Sequence, residues 1–425
     1  MSMSAVSDPI DIDRPSRFAV QPGRGTLLDE AMMMAAFIIL PLNMPMMQPV
    51  RAPFTLLLLA YLAFIGRPLL AAAWRHRWVY ILPALAAASA IWADSASAAL
   101  RHGILMTVMV TVALAAAIRL DIRQLAIAVL FSQGALALGS LMSMETMWVG
   151  GAHGAEAVVG LFPAKNVLGK RMLLVVLAAV AVMVGAGYRP VFKPIALGLS
   201  GIALFLIVQS LSASSIILLA LAVPLGVGLA VVWRPATAIR GARPVIVSGV
   251  FLLLALGATF AIIGLRIDPL ADLLGLFGKD ATLTGRTVLW EAARQVIADH
   301  PLLGVGAGNF WAADNDQALI LAKQFYKPDH QFSFHNAYFE IAVHLGAVGV
   351  LVFLGVFLRG VWTIGQTWWR TQGRADVFPV ILGAVIAIRT LTEAEMFDAL
   401  LLAPLLFWAV VLLSEEERGR AAATH

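Results

Sequence analysis

The stretch FHNAYFEIAVHLGAVGV, residues 334–350, sets His335 and Asn336 at the mouth of a long apolar run and then places Glu340 and His344 inside it. A histidine at a membrane–water boundary titrates near neutral pH and has the range of a general base. The alternative is an interfacial histidine whose ring reaches toward water. His344 lies about two and a half helical turns beyond His335 and faces the other way, so the two cannot share a metal through this helix. Glu340 and His344 are an i, i+4 pair on one face and read as partners inside a bundle. Arg286, in LTGRTVLW, stands near the start of another helix, where a planar guanidinium and the helix N-terminus both suit phosphate oxygens; the plainer reading is a surface arginine. FPAKNVLGKR crowds Lys165, Asn166, Lys170 and Arg171 against an apolar run, a density of cations that suggests an anionic partner. In AIRTLTEAEMFDA, Arg389 falls inside an apolar window with Glu393 at i+4. That spacing suits either a structural ion pair or a shared polar cavity, and charge within a membrane is by default functional.

Such residues need a membrane scaffold to position them. Charged residues are 13% of the 425, AVILMFWYC residues are 60%, and mean hydropathy is +0.87, whereas soluble domains carry about 25% charge. The composition predicts an all-α, polytopic integral membrane protein. The absence of cysteine excludes disulfides, thiolate nucleophiles and cysteine-ligated metals. No HExxH motif or dense ligand cluster occurs, so no metal is expected. The net charge of +5 reads as the basic bias of cytoplasmic loops rather than as a nucleic-acid surface.

Windows of about 20 apolar residues fall at 29–49, 53–72, 77–93, 99–118, 123–142, 166–186, 193–210, 214–233, 244–265, 336–358, 377–394 and 399–413. The first is expected to be broken, because Pro41, Asn43 and Pro45 interrupt it. With twelve spans both termini share one face, and eighteen of the thirty Lys and Arg residues concentrate there, which makes that face cytoplasmic. The division is then a cytoplasmic tail 1–28, transmembrane helices at 29–265, a long periplasmic loop 266–335, transmembrane helices at 336–413 and a cytoplasmic tail 414–425. Within the long loop, TGRTVLWEAARQVIADHP predicts an amphipathic helix capped by Thr284, with Val288, Leu289, Ala292, Ala293, Val296 and Ile297 on its apolar side and a stop at Pro301. PLLGVGAGNF, residues 301–310, lacks dinucleotide spacing and reads as a tight return toward the membrane. A smaller external loop, 143–165, holds Glu145, His153 and Glu156. SLSASS, residues 210–215, either offers hydroxyls to the same mouth or caps a helix.

The order of these motifs, Gly-Arg-x-x-x-Trp opening an external helix, then HPLLGVGAGNF, then HNAYFEIAVHLGAVG, resembles the O-antigen ligase and polymerase superfamily, especially its exopolysaccharide polymerase branch. FPAKNVLGK, IRTLTEAE, IWADSASAALR and the twelve-span layout extend the resemblance over most of the chain. It implies a GT-C-like, metal-independent, inverting membrane glycosyltransferase that needs no cofactor and uses an undecaprenyl-diphosphate-linked oligosaccharide in the bacterial inner membrane. By the same resemblance His335 is the base or acceptor-positioning residue, with Asn336 beside it, and Arg286 contacts the donor diphosphate. The family often has a basic residue after Ser-x-Ser, where this chain has Ala213 after Ser210 and Ser212. Lys165, Lys170 or Arg389 would have to supply that charge, supported by Asn166 and Glu393. The expected activity is polymerisation of lipid-linked repeat units, beside membrane lipid and with a flippase and chain-length regulator as partners. The alternatives are a ligase passing finished glycan to lipid A-core or protein, and a transporter or flippase of the lipid-linked glycan.

Overall fold

The computed structural model describes residues 25–42, 47–149, 154–185, 187–233, 239, 245, 286–312, 315–324, 333–370 and 377–423. Most of the N-terminal tail, Asn43 and Pro45, His153, the window 244–265 apart from Val245, and the loop stretch 266–285 with Thr284 lie outside these residues.

Over their described residues, the other eleven apolar windows fall mostly on helix. The elements are α1 (Leu27–Ile39), α2 (Gln48–Phe64), α3 (Gly66–Arg75), α4 (Ile81–Ala88) between two 3-10 turns, α5 (Ala96–Arg119), α6 (Ile122–Ser143), α7 (Lys165–Val184), α8 (Phe192–Gln209) and α9 (Ala213–Gly228). After the amphipathic α10 (Arg286–Asp299) and α11 (Asp316–Gln324) come α12 (Ala337–Arg370), α13 (Phe378–Arg389) and α14 (Leu402–Ala423). Among the described residues six helices are long and apolar enough to cross a membrane, or seven if α2 and α3, bent by 79°, form one span. Length and composition therefore do not reach twelve. One window, 244–265, falls outside the described residues apart from Val245; the others that fall short do so locally: α1 has only 13 residues, α4 sits in a short Arg77–Ile91 segment, α13 stops at Arg389, and the second half of α14 is rich in Glu and Arg.

The all-α expectation misses one feature. Thr146–Val149 and Ala155–Val158 pair as an antiparallel hairpin, Thr146 opposite Val158, in the loop between α6 and α7. Four-residue strands flanked by glycine leave little periodic signal.

Two apolar clusters organise the chain. The larger runs through the bundle, with α7 at its centre. The smaller joins Leu289, Ala293 and Val296 of α10 to Phe310, Leu321, Phe334 and Val343, and so fastens the amphipathic helix to the start of α12.

α12 is not continuous. At Gly346 the backbone turns to φ 61°, ψ −161°, a region open to glycine. The Pro301–Gly308 loop docks there: Ala347 N–H donates to Pro301 O (2.9 Å) and Gly306 N–H to His344 O (2.8 Å). A Cβ on Gly346 would lie 2.2 Å from the Leu302 carbonyl carbon, which is why this position requires glycine.

Roughly 30 Å along α12 from its start, a second polar knot closes the bundle. His76, between α3 and the following turn, has Nδ1 2.8 Å from Glu415 and Nε2 2.8 Å from Glu416, while Arg75 and Arg359 reach the same glutamates. Burial disfavours the charged ring, but Glu415 and Glu416 outweigh it and raise the His76 pKa above 6.5. The folded chain thus holds this proton more tightly than the unfolded one. The stabilisation is complete below the unfolded value and is lost as pH rises through the raised one. Thermal unfolding in detergent should move to lower temperature as pH climbs above about 6.5, and His76→Asn should flatten that slope.

Candidate active site

The site is assembled by stitching the start of α12 to the end of α13. Asn336 caps α12, its Oδ1 accepting from Tyr338 N–H (2.9 Å) and Phe339 N–H (3.1 Å), while its Nδ2 donates to Leu391 O (3.0 Å). Ala337 N–H donates to Thr390 O (2.9 Å), and the Tyr338 hydroxyl lies 3.2 Å from that of Thr390. These bonds bring the turn beyond Arg389, which carries Glu393 and Glu395, against His335.

His335 itself has φ 50°, a left-handed conformation that costs a non-glycine residue about 1–2 kcal/mol. Its neighbour Phe334 is held on both backbone groups: its N–H donates to Glu340 Oε2 (2.8 Å) and its carbonyl accepts from Trp290 Nε1 (2.9 Å). The Phe334 ring is fully buried against Phe310 and Trp311. Glu340 also accepts from Trp311 Nε1 (2.8 Å) and faces His344 Nε2 at 3.2 Å, and His344 Nδ1 lies 3.0 Å from Gly306 O. The expected Glu340–His344 pair is present, and it does more than hold its own helix: it clamps the backbone beside His335.

Glu393 is the hub. Its carboxylate lies 3.1 Å from Lys170 Nζ, 3.6 Å from Arg286 and 3.6 Å from His335 Nδ1. Lys170, on α7, bridges to Glu395 as well, and Arg389 pairs with Glu395 rather than with Glu393 at i+4. The i+4 expectation is corrected by the helix end: α13 stops at Arg389, and the turn that follows carries the Glu393 side chain toward α7, α10 and His335. In this loop, outside the spanning helices, burial opposes ionisation of both carboxylates. Lys170, then His335 and Arg389, nevertheless hold Glu393 below the usual carboxylate range, and Arg389 with Lys170 does the same for Glu395. A cavity of about 10 Å³ beside Arg389, Glu393 and Glu395 has room for about one water.

The structure therefore brings together His335, Arg286, Lys170, Arg389 and Glu393, with Asn336 acting through the backbone. Lys165 and Asn166 are tied to the α8–α9 turn: Lys165 donates to Leu211 O (3.1 Å) and Asn166 accepts from the Ser212 hydroxyl (3.2 Å). Arg171 is buried, with Gln133 Oε1 and Pro41 O each at 3.3 Å. Glu395 and Trp311 had no role assigned from the sequence, and Trp290 figured there only as part of the Gly-Arg-x-x-x-Trp motif. Each acts across a long separation in the chain, and only the acidic spacing of TEAE hinted at the first.

A family model described as O-antigen ligase matches residues 198–354. The exopolysaccharide production protein ExoQ of Rhizobium meliloti (strain 1021) is 28% identical over 360 residues, 82% of this chain and 79% of that protein. Both similarities point the same way, to proteins of O-antigen ligation and exopolysaccharide production. The matched family region contains Arg286, the Gly-rich loop and His335, and the ExoQ similarity covers most of the remaining chain.

Removing the hub leaves its cations short of a counter-charge. Because breaking a buried ion pair from one side costs about 3–5 kcal/mol, Glu393→Ala should lower stability by that order in detergent unfolding. A loss below about 0.5 kcal/mol would mean that Glu395 alone satisfies the cluster.

Proposed function

We propose that this protein polymerises lipid-linked oligosaccharide repeat units. On this reading it moves a growing glycan from its undecaprenyl diphosphate carrier onto another lipid-linked unit, at the periplasmic face of the bacterial inner membrane. The observation that carries the proposal is the convergence of His335, Arg286 and Lys170 on Glu393 at the end of an apolar bundle. His335, whose Nδ1 lies 3.6 Å from Glu393, takes a proton from the attacking sugar hydroxyl. The acceptor oxygen then bonds to the anomeric carbon with inversion. The glycosidic C–O bond to phosphate breaks, and the polyprenyl diphosphate leaves with the electron pair. Arg286 and Lys170 meet the charge that grows on that leaving group. Lys170 fills the role of the basic residue that Ala213 lacks, and Arg389 holds Glu395 so that Lys170 stays aimed at the mouth. The chemistry runs on side chains and calls for no metal.

The twelve-span, GT-C-like arrangement, with both termini cytoplasmic, belongs to the same proposal, as do a flippase and a chain-length regulator as partners. The similarity to ExoQ, described as an exopolysaccharide production protein, supports a role in exopolysaccharide assembly. The description of the matched family favours the second reading, a ligase with a different acceptor.

Purified protein in nanodiscs, given one lipid-linked repeat unit, should produce a ladder on gels. His335→Ala and Arg286→Ala should each lower chain growth by at least about 100-fold, and EDTA should leave wild type unchanged. Ladder formation by both variants at the wild-type rate would overturn the site, and strict dependence on a divalent ion would overturn the metal-free chemistry. Transfer only to lipid A-core would select the ligase.

A further inference from the structure

We propose that the groove between α10 and α11 holds the acceptor glycan, so that its terminal sugar is presented to His335. The inference rests on the polymerase reading and gives it an acceptor subsite. Thr287, Val288, Glu291, Ala292 and Gln295 of α10 and Leu321 of α11 line an open surface groove of about 430 Å³, a shape that suits an extended chain lying along the surface. Thr287, Glu291 and Gln295 recur at i, i+4 and i+8 and form one stripe along the helix. Val288, Ala292 and Leu321 supply an apolar wall beside it.

That pairing matches a sugar chain, whose ring edges offer hydroxyls and whose faces offer C–H groups. A polyprenyl tail would leave the Thr, Glu and Gln groups without partners at a desolvation cost. The donor diphosphate would meet a carboxylate, Glu291, and no cation in the lining. Arg294, 2.6 Å from Glu291, pairs with that carboxylate.

Position argues for the acceptor. Thr287 directly follows Arg286, which reaches Glu393 at 3.6 Å. On the side of α10 that meets α12, Trp290 donates to Phe334 O and its ring stacks on Phe339 at 5.7 Å. α10 is therefore bolted to the segment that carries His335, and a glycan in the groove is held in register with the base.

The test uses the full chain in nanodiscs with a lipid-linked repeat as donor and a short oligosaccharide of the same repeat, without lipid, as acceptor. Two changes probe the groove: Ala292→Trp, which fills it, and the exposed double change Glu291→Gln with Gln295→Leu. Both should raise the acceptor KM at least about tenfold. Donor KM and the slow release of polyprenyl diphosphate to water should stay within about twofold. An unchanged acceptor KM in both variants, with wild type active, overturns the groove assignment alone. A wild type that transfers nothing from the donor to any glycan overturns the polymerase reading and the groove together.

Discussion

The site depends on one buried carboxylate. Glu393 is 5% exposed and lies within ion-pair distance of Lys170, Arg286 and His335. Cations beside an apolar bundle cannot remain uncompensated, since an unpaired charge taken from water costs several kcal/mol. Glu393 and Glu395 neutralise them before any substrate is present. On the proposed reading, an arriving diphosphate would exchange with a carboxylate instead of neutralising a bare cluster, so the charge of the site changes little on binding. The same carboxylate lies 3.6 Å from Nδ1 of His335 and ties the ring to the cluster.

Around this hub the fold is built to keep His335 in a conformation it would not choose alone. The residue pays for its left-handed backbone through its neighbours: Glu340, Trp290 and the buried Phe334 ring fix one side, and the Asn336 cap with its bond to Leu391 fixes the other. Glu340 is fastened in turn by Trp311 and His344, and His344 by the glycine-rich loop docked at the Gly346 break. Positioning thus runs from α10 through the loop into α12 by direct contacts. The His76 knot with Glu415 and Glu416 ties the far end of the bundle.

The helices were legible in the sequence because long apolar windows have few other solutions in a membrane. His335, Arg286 and Lys170 were legible for the converse reason: each is a polar group where apolar residues or neutral loops were expected. What connects them was not. Lys170 and Glu393 are 223 positions apart, and no local period links them. The expected Arg389–Glu393 pair assumed a helix that continues, whereas α13 ends at Arg389 and the loop geometry reassigns the partner. Glu340 was readable as the partner of His344 by spacing, but its bond to the Phe334 backbone depends on a turn that hydropathy does not encode. The short hairpin at Thr146–Val158 was missed because a few residues of alternation cannot be distinguished from loop.

The central claim is that His335 removes the acceptor proton from a ring oriented by Glu393. Chemical rescue tests it most directly: single-turnover transfer by His335→Ala measured with added imidazole, with and without Glu393. The account predicts that neutral imidazole restores transfer in proportion to its concentration, and that the rescue weakens when Glu393→Gln is added. Wild-type transfer by His335→Ala without imidazole, or an inactive His335→Ala that no concentration of imidazole restores, would contradict it.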